Sequence, residues 1–130
     1  MIVGYLAHAF DLINVRDLDV IGQARAASTR LIVGVLSDEA VELLMGRAPV
    51  VPLIERMALV RHMRGVDEVV VQDASGQVTA EVGPGAVLFA VADDPLVFPG
   101  EQTRLIVPTR TSVSAILRHA LRPNGEQAVA

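Results

Sequence analysis

Six apolar residues in unbroken succession, Leu31-Ile32-Val33-Gly34-Val35-Leu36, run straight into Ser37-Asp38-Glu39, and this junction constrains the fold more than any other stretch of the chain. A strand without polar alternation has no face for water, so it must be covered on both sides, as strands of parallel sheets are. Ser37 offers a capping hydroxyl and the two carboxylates suit the positive end of a helix, so strand passes directly to helix. The palette agrees. Hydrophobic residues make up 52% of the chain and aromatics only 3%, so the core is built from Val, Leu, Ile and Ala, which favours buried strands.

The same kind of reading extends along the chain. Ile2 to Leu6 predicts a first strand, and residues 15 to 29 a first helix with Val15, Leu18, Ile21 and Ala24 three apart. The helix that begins at Ser37 runs to Met45 and stops at Gly46-Arg47-Ala48-Pro49. Pro52 opens another helical segment with Ile54, Met57, Val60 and Met63 on one face, Met57 and Met63 being core packing, and with Glu55, Arg56 and Arg61 pointing elsewhere. Val66 to Val71 reads as a strand and Asp73-Ala74-Ser75-Gly76 as a turn. Between 77 and 100 the pattern weakens around Gly83-Pro84-Gly85, then Ala86 to Val91 reads as a strand that Asp93-Asp94-Pro95 ends. Leu105 to Val107 predicts the last strand, Ser112 to Leu121 the last helix, and residues 122–130 a polar tail. The order implies one domain, residues 1–121, of the α/β class: a Rossmann-like, doubly wound, mostly parallel sheet of about five strands with helices on both faces. In such sheets ligands bind beyond the carboxyl ends of the strands, which nominates the loops after Leu6, Leu36, Val71, Val91 and Val107.

Charge and composition narrow the function. A net charge of -4 argues against nucleic-acid binding, which depends on neutralising phosphates. No window reaches the roughly 18 uncharged apolar residues of a membrane span, and no basic region precedes an apolar stretch at the N-terminus, so the expectation is a soluble, cytoplasmic chain without membrane partners. There is no cysteine for thiolate chemistry or a disulfide framework. All 11 basic residues are Arg, so a phosphate must be met by an Arg fork, a backbone nest or a helix N-terminus.

Four segments then carry a resemblance: Ala9-Phe10-Asp11-Leu12-Ile13-Asn14-Val15-Arg16-Asp17, Leu31 to Glu39, Gly46 to Pro52 with Glu55-Arg56-Met57, and Arg64-Gly65-Val66-Asp67-Glu68-Val69. Together they resemble the cytidylyltransferase family of HIGH-type nucleotidyltransferases, glycerol-3-phosphate cytidylyltransferases in particular, strongly over residues 2 to 72 and loosely beyond. The resemblance implies transfer of a cytidylyl group from CTP to a polyol phosphate, with Ala9, Phe10, Asp11, Arg16, Arg64, Arg110, Thr111, Ser112 and Ser114 at nucleotide- or phosphate-binding positions, and a homodimer.

The residues at the chemical positions depart from the family pattern HxGH. Asn14 stands at the first His, Arg16 at the Gly, Asp17 at the second His, and His8 at an upstream glycine. Losing one such donor typically costs roughly 100- to 1000-fold, and a carboxylate facing phosphates is repulsive unless a metal lies between them. Val91-Ala92-Asp93-Asp94-Pro95 keeps the carboxylates of a later family motif without its cation and aromatic, and Arg110-Thr111-Ser112 remains as a phosphate clamp. Three readings follow: a transfer-impaired protein that keeps nucleotide, phosphate or partner binding; an active enzyme whose Asp11, Asp17 and Asp93 gather Mg²⁺; or a structural dimer partner. An anion-sized opening around Asn14, Arg16 and Asp17 favours binding, and a filled one a structural role.

Each residue also has a plainer role. Asp11 and Asn14 are natural helix caps, Arg16 and Asp17 ordinary charges of a first helical turn, and Asp93 and Asp94 turn formers. His8 either replaces a lost imidazole or is a loop residue, His62 and His119 are surface positions, and Arg64 pairs with Asp67 or caps a helix.

Overall fold

The computed structural model describes residues 1–78, 80–96 and 103–109. Its strands are β1 (Val3–His8), β2 (Arg30–Leu36), β3 (Glu68–Gln72), β4 (Val87–Val91) and β5 (Thr103–Ile106), and its helices α1 (Val15–Ala26), α2 (Asp38–Met45) and α3 (Leu53–Arg61). All four strand pairings are parallel and the sheet order is β3-β2-β1-β4-β5. The order reverses between β1 and β4, which places the ligand crevice of such a sheet at their carboxyl ends.

The continuous apolar run behaves as a doubly covered strand. Leu31, Val33 and Val35 of β2 pack into one core with Val20, Ile21 and Ala24 of α1 and Val60 of α3, while Ile32 and Leu36 join a second core with Ala40 and Val41 of α2. Ser37 caps α2 by accepting from the Ala40 amide at 3.1 Å, and Gly46 ends it in the left-handed conformation at φ 72°. Gly34 has a different task. A Cβ there would lie 2.0 Å from the Tyr5 hydroxyl, which crosses β2 to donate to Gln72 Oε1 of β3 at 2.6 Å.

Two helix faces differ from the sequence expectation, and for one reason. Residues spaced strictly by three advance about 300° per step on an α-helix, so after three steps they have drifted about half a turn. Val15 and Leu18 are therefore exposed, and the buried face of α1 is Asp17, Val20, Ile21 and Ala24. In α3 the drift turns Ile54 outward, 80% exposed, and brings Arg56 inward to complete burial beside Val60, although Arg56 was expected to point elsewhere. The expected last helix and tail, with Arg110, Thr111, Ser112 and Ser114, lie outside the described residues.

Candidate functional site

The crevice between β1 and β4 is built from the loop joining β1 to α1. Two non-glycine residues of that loop, Phe10 and Leu12, take φ of 53° and 60°, a conformation that costs roughly 1–2 kcal/mol each and must be held by its surroundings. Arg56 does much of the holding. Its buried guanidinium donates from Nη1 to the carbonyls of Ala9 and Leu36, both at 2.7 Å, from Nε to Val51 O at 2.7 Å, and from Nη2 to Asp38 Oδ1 at 2.6 Å. One side chain thus ties the ends of β1 and β2 to the loop before α3.

Asp11 is the second tie. Its Oδ1 accepts from the Val51 amide at 2.9 Å, and its Oδ2 from the Val50 amide at 2.9 Å and from Arg47 at 3.2 Å. Burial alone would raise its pKa, but these three donors outweigh it and hold the carboxyl below the ordinary value. Asp11 therefore caps the loop preceding α3, not the helix after it.

Asn14 and Asp17 form a reciprocal cap on α1. Asn14 Oδ1 accepts from the amides of Arg16 at 2.9 Å and Asp17 at 3.4 Å, and Asp17 Oδ2 accepts from the Asn14 amide at 3.1 Å. The other oxygen of Asp17 lies 3.6 Å from His8 Nε2. Arg16 donates to Ala92 O at 3.3 Å. His8, Phe10, Arg16, Asp17, Val20 and Val91 enclose a cavity of about 10 Å³, room for one water molecule and far less than a triphosphate. The opening is thus too small for a whole phosphate group and has room for a single oxygen atom.

His8 has the partner that its sequence context does not reveal. Its Nδ1 is hydrogen-bonded to Asp94, 86 residues away, across the point where the sheet order reverses. Asp93, beside it, takes φ of 68°. Asp11, Asp17 and Asp93 do not gather as metal ligands: among the described residues no three His, Cys, Asp or Glu side chains are placed to hold an ion. Asp11 already spends both oxygens on the 47–51 segment, so these residues do not fit Mg²⁺ as a set. Arg64 precedes β3 and so stands at the amino edge of the sheet, away from the crevice, because α3 carries the chain back there. Asp67 pairs with Arg25, not Arg64, and His62 is exposed as expected.

The residues at this site were partly legible. Loop and edge followed from the strand pattern, whereas Arg56 and the His8 and Asp94 pair did not. The partners of Arg56 are mostly backbone carbonyls, which no sequence pattern marks. For His8 the available signal was an imidazole at the end of the first strand and an aspartate after the fourth, on neighbouring strands of a doubly wound sheet.

A parallel sheet of this order, covered by helices on both faces and with polar side chains gathered at its switch point, defines a Rossmann-like α/β protein. Residues 9–123 match the family described as cytidylyltransferase-like, and the chain belongs to that family. Over 77 residues, 59% of this chain, it is 39% identical to an ethanolamine-phosphate cytidylyltransferase of Arabidopsis thaliana. That match spans only 18% of the plant protein's length. The crystal structure of a lipopolysaccharide core biosynthesis protein from Thermoplasma volcanium superposes with a TM-score of 0.70, covering 86% of this chain and 99% of that one. At 14% identity the likeness is one of fold. Among the described residues no helix is long and apolar enough to cross a membrane.

Proposed function

We propose that this cytidylyltransferase-fold chain has lost efficient nucleotidyl transfer and keeps a contact for a phosphate-bearing ligand, such as CTP, at the crevice between β1 and β4. One observation carries the reading. Asn14 and Asp17, at positions where the resembled enzymes present imidazoles, bond to each other as a helix cap, and Asp17 adds a carboxylate where negative charge would have to build up. Phosphoryl chemistry depends on neutralising that charge, so each missing donor removes transition-state stabilisation. Two losses of roughly 100-fold each would lower an ordinary turnover of about 10 per second to about 10⁻³ per second or less.

The test is pyrophosphate release from CTP and Mg²⁺ with glycerol phosphate or other polyol phosphates as acceptor. Ethanolamine phosphate is included because the Arabidopsis relative is named for it. Turnover near 10⁻³ per second or below is expected, and turnover of about one per second or faster would sink the proposal. The water-sized cavity favours a second reading, in which the domain is a structural dimer partner of a second copy or of an intact homologue. A dimer by light scattering whose mass is unchanged by CTP, together with no CTP binding by calorimetry, would favour that reading over the first.

A further inference from the structure

Two contacts fix the ring of His8 at the end of β1. Nδ1 is bonded to the Oδ2 of Asp94, whose side chain is 2% exposed and whose other oxygen accepts from the Leu96 amide at 2.9 Å. Phe10 meets the ring edge-on, with centroids 5.3 Å apart and planes at 88°. Nε2 is thereby turned toward Asp17, which lines the same cavity, but at 3.6 Å the pair is too far apart for a hydrogen bond. A buried carboxylate on one imidazole nitrogen sets which nitrogen is presented to a ligand and how it is aimed.

We infer that His8 is the group that meets the phosphate of a ligand in this crevice, with Asp94 as its positioning residue. The inference rests on the proposal that the crevice still takes a phosphate-bearing ligand. The cavity has room for one atom of the size of a water or a phosphate oxygen, and His8 and Arg16 both line it. Asp17 works against it, since its carboxylate faces the same nitrogen and repels an incoming anion. Affinity is then set by His8 and Arg16 against Asp17. Substitutions on the two sides must move it in opposite directions, which a purely structural role for these residues would not produce.

The experiment titrates the full chain with pyrophosphate and then with CTP by calorimetry, alongside an ¹⁵N spectrum of the histidine rings. The His8 ring signals should move on adding either anion. His8→Gln should weaken binding about tenfold or more, the usual effect of one lost charge-assisted hydrogen bond. Asp17→Asn, whose amide oxygen still accepts from the Asn14 amide, should tighten binding several-fold. Asp94→Asn should weaken it and change the balance of protons between the two ring nitrogens of His8 in the free protein. Wild-type affinity in His8→Gln, with ring signals that ignore the ligand, overturns the assignment and leaves the proposed function standing. Failure of the wild type to bind either anion at millimolar concentration overturns both. Circular dichroism verifies that His8→Gln is folded, and if it is not, the ring signals of the unsubstituted chain decide the matter.

Discussion

Replacing Arg56 by Met keeps much of the side chain's length and apolar stem while removing every donor. Four hydrogen bonds disappear, and their acceptors remain: the carbonyls of Ala9, Leu36 and Val51 and one oxygen of Asp38. Asp38 is 48% exposed and recovers water, so its share is small. The bonds to Ala9 and Leu36 are buried, and each orphaned carbonyl costs about 1–3 kcal/mol, with Val51 adding a smaller amount. Removing the desolvation of the guanidinium offsets part of this, because a buried charge is expensive to keep. The orphaned acceptors decide the sign, and the net loss should be about 3–5 kcal/mol, a large fraction of the roughly 5–15 kcal/mol that holds a domain of this size. Urea titrations followed by circular dichroism measure it directly, and the midpoint of thermal unfolding should fall by roughly 10–20 °C. Arg56→Lys should lie between, since an ammonium is a point donor that cannot span carbonyls on two strands and a loop. A loss below about 1 kcal/mol for Arg56→Met at unchanged m-value would refute the reasoning, for it would mean that the three carbonyls find other partners at no cost.

Gly34→Ala puts a methyl group 2.0 Å from the Tyr5 hydroxyl and 2.7 Å from its ring; it should destabilise the fold by at least about 2 kcal/mol in denaturant titrations, with Tyr5→Leu restoring part of the loss and Tyr5→Phe much less. Asp11 has a folded pKa below its ordinary 3.8, so its contribution is fully present above about pH 4 and disappears as the pH falls through the folded value. Asp11→Asn should therefore be less stable than the wild type at pH 7, with the two unfolding curves converging below about pH 4; a difference that stays constant into acid contradicts the assignment.

The sheet was legible because parallel strands declare themselves as unbroken apolar runs, and β2 and β4 both do. Helix positions were legible too, but their faces were not, since counting by threes followed a line that winds round the helix away from the core. The i, i+3, i+4, i+7 set of α1 runs through Asp17, a charged residue that a hydrophobic reading passes over. Arg56 was hidden in the same way, as a polar side chain one helical turn before a buried valine. These are the positions at which local pattern and tertiary environment disagree, and such disagreements concentrate where a chain builds a site.

The residues read from the sequence as departures from a catalytic motif fit one another. Asn14 and Asp17 complete a cap that needs both members, since each side chain accepts from the other's backbone. Arg16 finds the Ala92 carbonyl, and His8 stands between Asp17 and Asp94. Unconstrained decay of an active site would leave buried polar groups without partners, each costing about 1–3 kcal/mol, and gaps where larger side chains had been. Here the space left is about the size of a single water, and the polar groups around it are paired with the chain's own atoms. On the proposed reading, internal hydrogen bonds have taken over the positions that transfer needed, while His8 and Arg16 still line an opening for one oxygen. On that reading no single substitution restores transfer: returning an imidazole at Asp17 alone would remove one half of the α1 cap and leave Asn14 with the other, while the remaining donor would still be missing.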